Sequence, residues 1–377
     1  MLSVAMGADP PPQSNPSEVN RVAHNQRSRT ASRTSGDTIL ELRDVTVQFD
    51  MDRGQSRVLD SVSMDIYREE ILGIVGESGS GKSMLAAALL DAVVAPGMVE
   101  GDITYYPRNG DPVDVLNLRK DELKKLRWNE ISMVFQGAMS SFNPTMKIRG
   151  HFEETIHAHR ASYGERMEHA YQLLSDLYLD PERVMDAYPH ELSGGMKQRA
   201  LIALSLLLEP EVLVMDEPTA ALDLLMQRSI LTLLADLQEN YDLTVVFITH
   251  DLPLVAGLAD RLGVMYAFDF VEYGPSADVV EKAAHPYTRA LLRSVPSVDS
   301  SLDEMRPIEG EAPDPVNVPS GCSYHPRCPL ADDHCVQNDP PFGDVGADHE
   351  AACFYPTESR ESIEYSLLTD VEGVQNP

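Results

Sequence analysis

Apolar and polar positions change period several times along this chain, and each change marks an element. From Ile39, the apolar residues Leu40, Leu42, Val45, Val47 and Phe49 stand among polar neighbours, the two-residue period of a half-buried strand. Asp50-Met51-Asp52-Arg53-Gly54 predicts a turn, and Val58 to Ile66 resumes extended structure, so an antiparallel flap is expected here. Ile71-Leu72-Gly73-Ile74-Val75 reads as a buried strand, and Met84 to Leu90, rich in Ala and Leu, as a helix. Ile103-Thr104-Tyr105-Tyr106 and Ile131-Ser132-Met133-Val134-Phe135 predict further strands, the second ending at Gln136. Lys147 to about Leu179 has helical spacing with a break near Tyr163-Gly164, and another helix runs from the Leu192 region through Leu208. Val212-Leu213-Val214-Met215 and Thr244-Val245-Val246-Phe247-Ile248-Thr249 are fully apolar strands, ending at Asp216-Glu217 and His250-Asp251. Strands alternating with helices predict an α/β fold with a parallel sheet, whose functional residues sit at the carboxyl ends of the strands. Gln136, Asp216, Glu217 and His250 all fall at such ends.

One turn in this pattern carries chemistry of its own. Gly76-Glu77-Ser78-Gly79-Ser80-Gly81-Lys82-Ser83 lies between a predicted strand and a predicted helix and fits G-x-x-x-x-G-K-[ST], a phosphate-binding loop. Its glycines let backbone N–H groups face a phosphate, with the helix N-terminus behind them. Lys82 suits the outer phosphates, and the Ser83 hydroxyl suits Mg²⁺. Phosphoryl transfer to water needs charge neutralisation and an oriented nucleophile. Asp216 at a strand tip suits Mg²⁺, Glu217 suits a general base, and Gln136 can touch both metal and water. His250 can bond the terminal phosphate. Phe49 is either a stacking platform for a purine base or a core residue of the flap.

Charge and composition narrow the setting. The 377 residues allow one large domain and a smaller one. A net charge of −30 is spread along the chain; such a surface suits high salt and argues against general nucleic-acid binding. No signal peptide and no apolar run of bilayer-spanning length is visible, so any membrane role is expected to run through partners. Residues 1–37, rich in Pro, Ser, Asn, Thr and Arg, are expected to form a disordered leader, and residues 361–377 a disordered tail.

Taken together, the phosphate loop, Gln136, Leu192-Ser193-Gly194-Gly195-Met196, Asp216-Glu217, Ala221-Leu222-Asp223 and His250 resemble the nucleotide-binding subunit of an ABC transporter. The resemblance covers about residues 38–296. It implies an ABC ATPase core with a parallel sheet, an antiparallel β flap and a helical subdomain at about 137–205. It further implies ATP and Mg²⁺ as ligands and Asp223 as a D-loop residue. Ser193, Gly194, Gly195 and Met196 would form a signature turn that binds the ATP held by a second, identical or paralogous, subunit. Met196 stands where many members have Gln, and Gly137-Ala138 replaces a more usual Asp-Pro. Ser141-Phe142-Asn143-Pro144, Ala283 to Leu292 with Ser294-Val295-Pro296, and Gly321 to Pro329 look like the oligopeptide/dipeptide importer group. That likeness implies two permease subunits, an extracellular solute-binding protein and a peripheral place on the cytoplasmic membrane face. Import of nickel or sugars, or a soluble ABC ATPase of DNA repair or translation, are the alternatives.

All four cysteines, Cys322, Cys328, Cys335 and Cys353, fall in a C-terminal domain expected over 297–360, spaced C-x5-C-x6-C-x17-C. Clustering of this kind predicts a shared metal rather than disulfides. The spacing lacks the C-x-x-C knuckle of structural zinc, so a [4Fe–4S] cluster is the first reading, zinc the second and free buried thiols the third.

Overall fold

The computed structural model describes residues 37–137, 141–220, 222–294 and 308–365. The expected leader before Asp37, and Ala138, Ala221, Val295, Pro296 and the stretch beyond 365, lie outside the described residues. From the N-terminal side come β1 (Thr38–Met51), β2 (Gly54–Tyr67), β3 (Ile71–Val75), α1 (Lys82–Ala88), β4 (Met98–Tyr105), β5 (Val113–Asp114), α2 (Lys120–Asn129) and β6 (Ile131–Val134). A helical stretch follows, with α3 (Ile148–His159), α4 (Tyr163–Asp176), α5 (Pro181–Asp186) and α6 (Gly194–Leu206). The chain continues through β7 (Val212–Asp216), α7 (Leu224–Asn240), β8 (Thr244–Thr249), α8 (Leu252–Ala256), β9 (Arg261–Tyr266), β10 (Asp269–Pro275), α9 (Ser276–Glu281) and α10 (Pro286–Arg293). Its C-terminal part adds α11 (Asp333–Gln337), β11 (Phe342–Gly346), β12 (His349–Ala352) and α12 (Pro356–Ser362).

The flap is an antiparallel sheet of order β2-β1-β4-β5. Ile103-Thr104-Tyr105, read from sequence only as a further strand, pairs with Leu42, Glu41 and Leu40 of β1 and so belongs to the flap. The second sheet has the order β11-β12-β10-β9-β3-β8-β7-β6. Strands β6, β7, β8, β3 and β9 run parallel in it, and β10, β12 and β11 continue it antiparallel.

Alternation along the parallel strands builds two cores, because successive side chains leave opposite faces of a sheet. Leu72, Ile74, Val212, Val214, Val246 and Ile248 join the flap and α1 in one core. Ile71, Val75, Leu213, Met215, Val245 and Phe247 join the other, together with Phe152, Leu173 and Leu174 of α3 and α4 and Ile202 of α6. Both faces are therefore covered by apolar side chains, which is why these strands read as unbroken apolar runs. The helical stretch shares its core with the sheet.

The C-terminal segment, expected as a small domain of its own, supplies β11 and β12 to the edge of the large sheet. Glu272 of β10 fixes the junction. Its buried carboxylate is bonded by His349 Nε2 at 2.7 Å and by the backbone N–H groups of Ala284 at 2.7 Å and His285 at 3.0 Å. Those partners replace the water that burial removes. Ile363 and Tyr365, assigned from sequence to a disordered tail, pack back on the body. The Tyr365 hydroxyl donates to Val280 O at 2.8 Å, and Arg289 Nε donates to Ile363 O at 2.6 Å.

Candidate nucleotide site

The phosphate loop leaves β3 and enters α1, with two glycines at positions no other residue could fill. Gly76 has φ +157° and Gly81 φ +108°. A Cβ would lie 2.2 Å from Met265 O at Gly76 and 2.6 Å from Val58 O at Gly81. Lys82 folds into the loop, donating from Nζ to Gly76 O at 2.9 Å, Glu77 O at 2.8 Å and Ser80 Oγ at 3.4 Å. Burial pushes its ammonium down, while the charges of Glu217, Asp216 and Glu77 push it back up. A phosphate entering the loop offers that ammonium a full negative charge in place of carbonyl dipoles. No side chain caps the N-terminus of α1.

Asp216 ends β7, buried, with its Oδ1 lacking any hydrogen-bond partner. Burial pushes this carboxyl up, the hydrogen bond from Ser83 opposes that, and the charge of Glu217 adds to it. An orphaned buried carboxylate oxygen beside the Ser83 hydroxyl is the donor set a hard cation requires. Ser83 and Asp216 fit Mg²⁺ here, and Gln136 is bonded to Glu217.

Glu217 follows with φ +46°, a left-handed conformation, its N–H donating to Ile248 O at 2.9 Å. Its carboxylate receives Gln136 Nε2 at 3.1 Å on Oε2, and His250 Nδ1 lies 3.1 Å from Oε1. Parallel pairing of β6, β7 and β8 brings these three side chains, from widely separated parts of the chain, to one edge. Phe49 sits half-buried on β1 with its ring against Gly97, whose added Cβ would lie 2.7 Å from Phe49 Cζ. It is among the partly buried residues packed against the flap core.

The signature residues occupy another surface. Ser193 caps α6, its Oγ accepting from Met196 N at 3.3 Å. With Gly195 and Met196 it lines an open cleft of about 270 Å³ together with Tyr178, Asp180, Arg199 and Met226. None of the described residues of 76–83 lines that cleft. Asp223 caps α7, its Oδ1 accepting from Met226 N at 3.0 Å.

Two contacts to the loop escaped the sequence. Glu77 N–H donates to the Tyr287 hydroxyl at 2.9 Å. Its carboxylate is forked by Arg327, with NH1 to Oε2 at 2.7 Å and NH2 to Oε1 at 3.0 Å. Both residues stood in the tail motifs, but no local pattern links them to a glycine loop more than 200 positions earlier. His285, in the same motif, is pushed down to about 3 by burial and stays neutral. Its Nδ1 accepts from Tyr287 N at 3.0 Å.

Cys322, Cys328, Cys335 and Cys353 line one cavity with Tyr324, His325 and Phe354, and none is in a disulfide. Burial pushes all four thiols up, Cys328 to about 11 and Cys353 to about 12. Among the described residues no three His, Cys, Asp or Glu converge on a single-ion site. Neither the iron–sulfur nor the zinc reading of the four thiols therefore finds a preassembled metal group there.

A parallel sheet with a phosphate loop, an acidic strand tip and a glutamate held by Gln and His defines a P-loop nucleoside triphosphatase. Comparisons refine the class. A family profile described as ABC transporter matches residues 59–220, and one described as oligopeptide/dipeptide transporter, C-terminal region, matches 271–335. The dipeptide transport ATP-binding protein DppD of Caldanaerobacter subterraneus is 40% identical over 85% of this chain and 98% of its own length. The oligopeptide transport ATP-binding protein OppD of Escherichia coli is 40% identical over 85% and 94%. Among solved structures, a dimeric bacterial ABC transporter cassette superposes with TM-score 0.55 at 29% identity, covering 63% of this chain and 99% of that one. A post-hydrolysis state of that cassette, bound to ADP and phosphate, gives 0.54 at the same identity, covering 63% and 99%. This chain belongs to the ABC transporter family of ATP-binding proteins and is an ATPase of that family. Among the described residues no helix is long and apolar enough to cross a membrane.

Proposed function

We propose that this chain is the ATP-hydrolysing subunit of an importer for dipeptides or oligopeptides, seated on the cytoplasmic face of the membrane. Its partners are a second ABC ATPase, two permeases and an extracellular solute-binding protein. The observation that carries this reading is a complete phosphate-and-carboxylate site held by the same C-terminal region that matches the oligopeptide/dipeptide transporter profile. Relatives named for dipeptide and oligopeptide transport support the cargo.

In this reading Lys82 and the loop N–H groups bind the β- and γ-phosphates. Ser83, Asp216 and Gln136 would hold a Mg²⁺, which would neutralise phosphate charge. Glu217 takes the proton of the attacking water, and His250 hydrogen-bonds the γ-phosphate. The turn at Ser193-Gly194-Gly195 faces a phosphate held by the partner chain, so ATP joins two subunits and hydrolysis parts them. The segment after Gln136 passes that motion to the permeases. Proteoliposomes carrying the chain with its permeases and binding protein are expected to accumulate a labelled dipeptide or short peptide only when ATP is supplied. Uptake of nickel or a sugar instead would change the cargo, and ATPase activity that never associates with permeases would favour the soluble reading.

For the four cysteines we propose a [4Fe–4S] cluster. Their shared cavity and the absence of a disulfide support a common ligand, and the wide C-x5-C-x6-C-x17-C spacing favours the cluster over zinc. Such a cluster would tie a loop-rich segment together with four thiolate bonds. Anaerobically purified protein is expected to contain about four iron and four sulfide per chain. Metal-free protein that stays folded would overturn the proposal.

A further inference from the structure

We propose that Arg327 is a positioning residue of the nucleotide site, cancelling the charge of Glu77 and holding the phosphate loop in its binding shape from the C-terminal region. The inference rests on the ATP-site reading above and adds a residue outside the nucleotide-binding motifs.

A glutamate as the second residue of an anion cradle needs explanation, because its carboxylate repels the polyphosphate the loop must bind. Glu77 is gripped at every polar group of known partner. Its N–H goes to the Tyr287 hydroxyl at 2.9 Å, its carbonyl receives Lys82 Nζ at 2.8 Å, and its carboxylate takes the Arg327 fork at 2.7 and 3.0 Å. The carbonyl also receives Ser80 N–H at 3.2 Å, so both holds on the carbonyl lie within the matched ABC segment, while those on the N–H and the carboxylate come from the matched C-terminal segment. A two-point guanidinium–carboxylate fork fixes orientation as well as charge, and arginine stays protonated at any working pH.

Arg327 is itself fixed. Its side chain is only 5% exposed against 27% for Glu77. Nε donates to Glu309 O at 2.8 Å, NH2 reaches Ile308 O at 3.4 Å, and NH1 lies 3.5 Å from the Tyr266 hydroxyl. The Tyr266 ring packs against Tyr287 and Tyr324 at centroid distances of 4.6 and 5.1 Å. The aromatic cluster therefore joins the turn carrying Arg327, the hydroxyl that receives Glu77 and the end of β9 in one packed unit. An ion pair of two mobile surface side chains contributes little, whereas this fork is held rigidly on the arginine side.

The test compares Arg327→Met, Arg327→Lys, Glu77→Gln and the double variant Arg327→Met/Glu77→Gln in the full chain. The readouts are equilibrium binding of Mg-ATP and steady-state ATPase kinetics. Arg327→Met leaves an uncompensated carboxylate in the loop and is expected to weaken ATP binding about tenfold, raising KM with kcat within about twofold. Arg327→Lys keeps the charge without the fork and is expected to fall between wild type and Met. Glu77→Gln in the Met background removes the repelling charge and is expected to recover most of the affinity. Two results would overturn the inference: ATP affinity unchanged in both Arg327 variants, or a double variant as weak as Arg327→Met. The second would mean that Arg327 only holds the tail in place. Failure of the unaltered chain to bind ATP would bring down the site reading itself, and this inference with it.

Discussion

Replacing Glu217 with Gln is expected to lower ATP turnover by about 10²–10⁴-fold, the contribution of a positioned general base, while leaving ATP binding and ATP-driven dimerisation in place. The geometry makes this a clean substitution. Glu217 accepts from Gln136 Nε2 at 3.1 Å through Oε2, and His250 Nδ1 lies 3.1 Å from Oε1. A glutamine side chain of the same length keeps one acceptor oxygen for these neighbours, and the bond from Glu217 N–H to Ile248 O at 2.9 Å is untouched. The left-handed backbone at φ +46° is available to either residue. The ability to take a proton from water is lost together with one acceptor oxygen, so His250 Nδ1 must accept from the new amide where it faced a carboxylate oxygen before. Single-turnover hydrolysis with size-exclusion chromatography in ATP checks both halves. Unchanged hydrolysis would remove Glu217 from the role of base, and loss of the dimer would show that the carboxylate also holds the interface.

Where the chain's apolar pattern was strong, its elements were legible. The strands at Ile71–Val75, Val212–Asp216 and Thr244–Thr249 stood out because burial on both faces leaves no polar position to blur them. Their alternating assignment to two cores could not be read, since a continuous apolar run carries no phase. The helix break expected near Tyr163-Gly164 lies three residues earlier. Arg160 takes φ +57° as the C-cap of α3, a conformation the sequence does not advertise with glycine, and Gly164 sits inside the first turn of α4. The C-terminal hairpin was missed as part of the large sheet for a related reason. Phe342–Gly346 alternates between exposed and half-buried positions, so it lacks the apolar face that marks a packed strand.

Long-range chemistry was the least legible part. Gln136, Glu217 and His250 could be placed at strand ends because parallel sheets put their working edge there. That His250 and Gln136 both meet Glu217 follows from the order of β6, β7 and β8, which periodicity does not encode. The Arg327–Glu77 fork is further out of reach, since it joins residues 250 positions apart. A glutamate inside a glycine-rich anion loop was the available signal that a cation had to come from elsewhere.

The signature turn yields the sharpest test of a shared site, because one chain keeps its phosphate loop and its Ser193 turn on separate surfaces. Ser193→Glu is expected to abolish ATP-driven dimerisation and to lower turnover by about 100-fold or more. Its own affinity for ATP as a monomer should stay within about twofold. Ser193 is exposed and its Oγ caps α6 through Met196 N at 3.3 Å, so the substitution costs the fold about 1 kcal/mol, within reach of a stable domain. It also sets a carboxylate at the positive end of a 13-residue helix, where in the proposed shared site the partner's γ-phosphate approaches, replacing attraction by repulsion. Lys82→Ala supplies the complementary lesion, since it removes the ammonium bonded to Gly76 O and Glu77 O. Each variant alone should be inactive. A mixed dimer of the two contains one composite site with an intact Lys82 from one chain and an intact Ser193 from the other, so mixing should restore a substantial part of the turnover. Turnover that persists in Ser193→Glu alone would show that a single chain completes its own site. Two inactive variants that stay inactive when mixed, while the unaltered chain dimerises with itself, would show that the turn does not act across the interface.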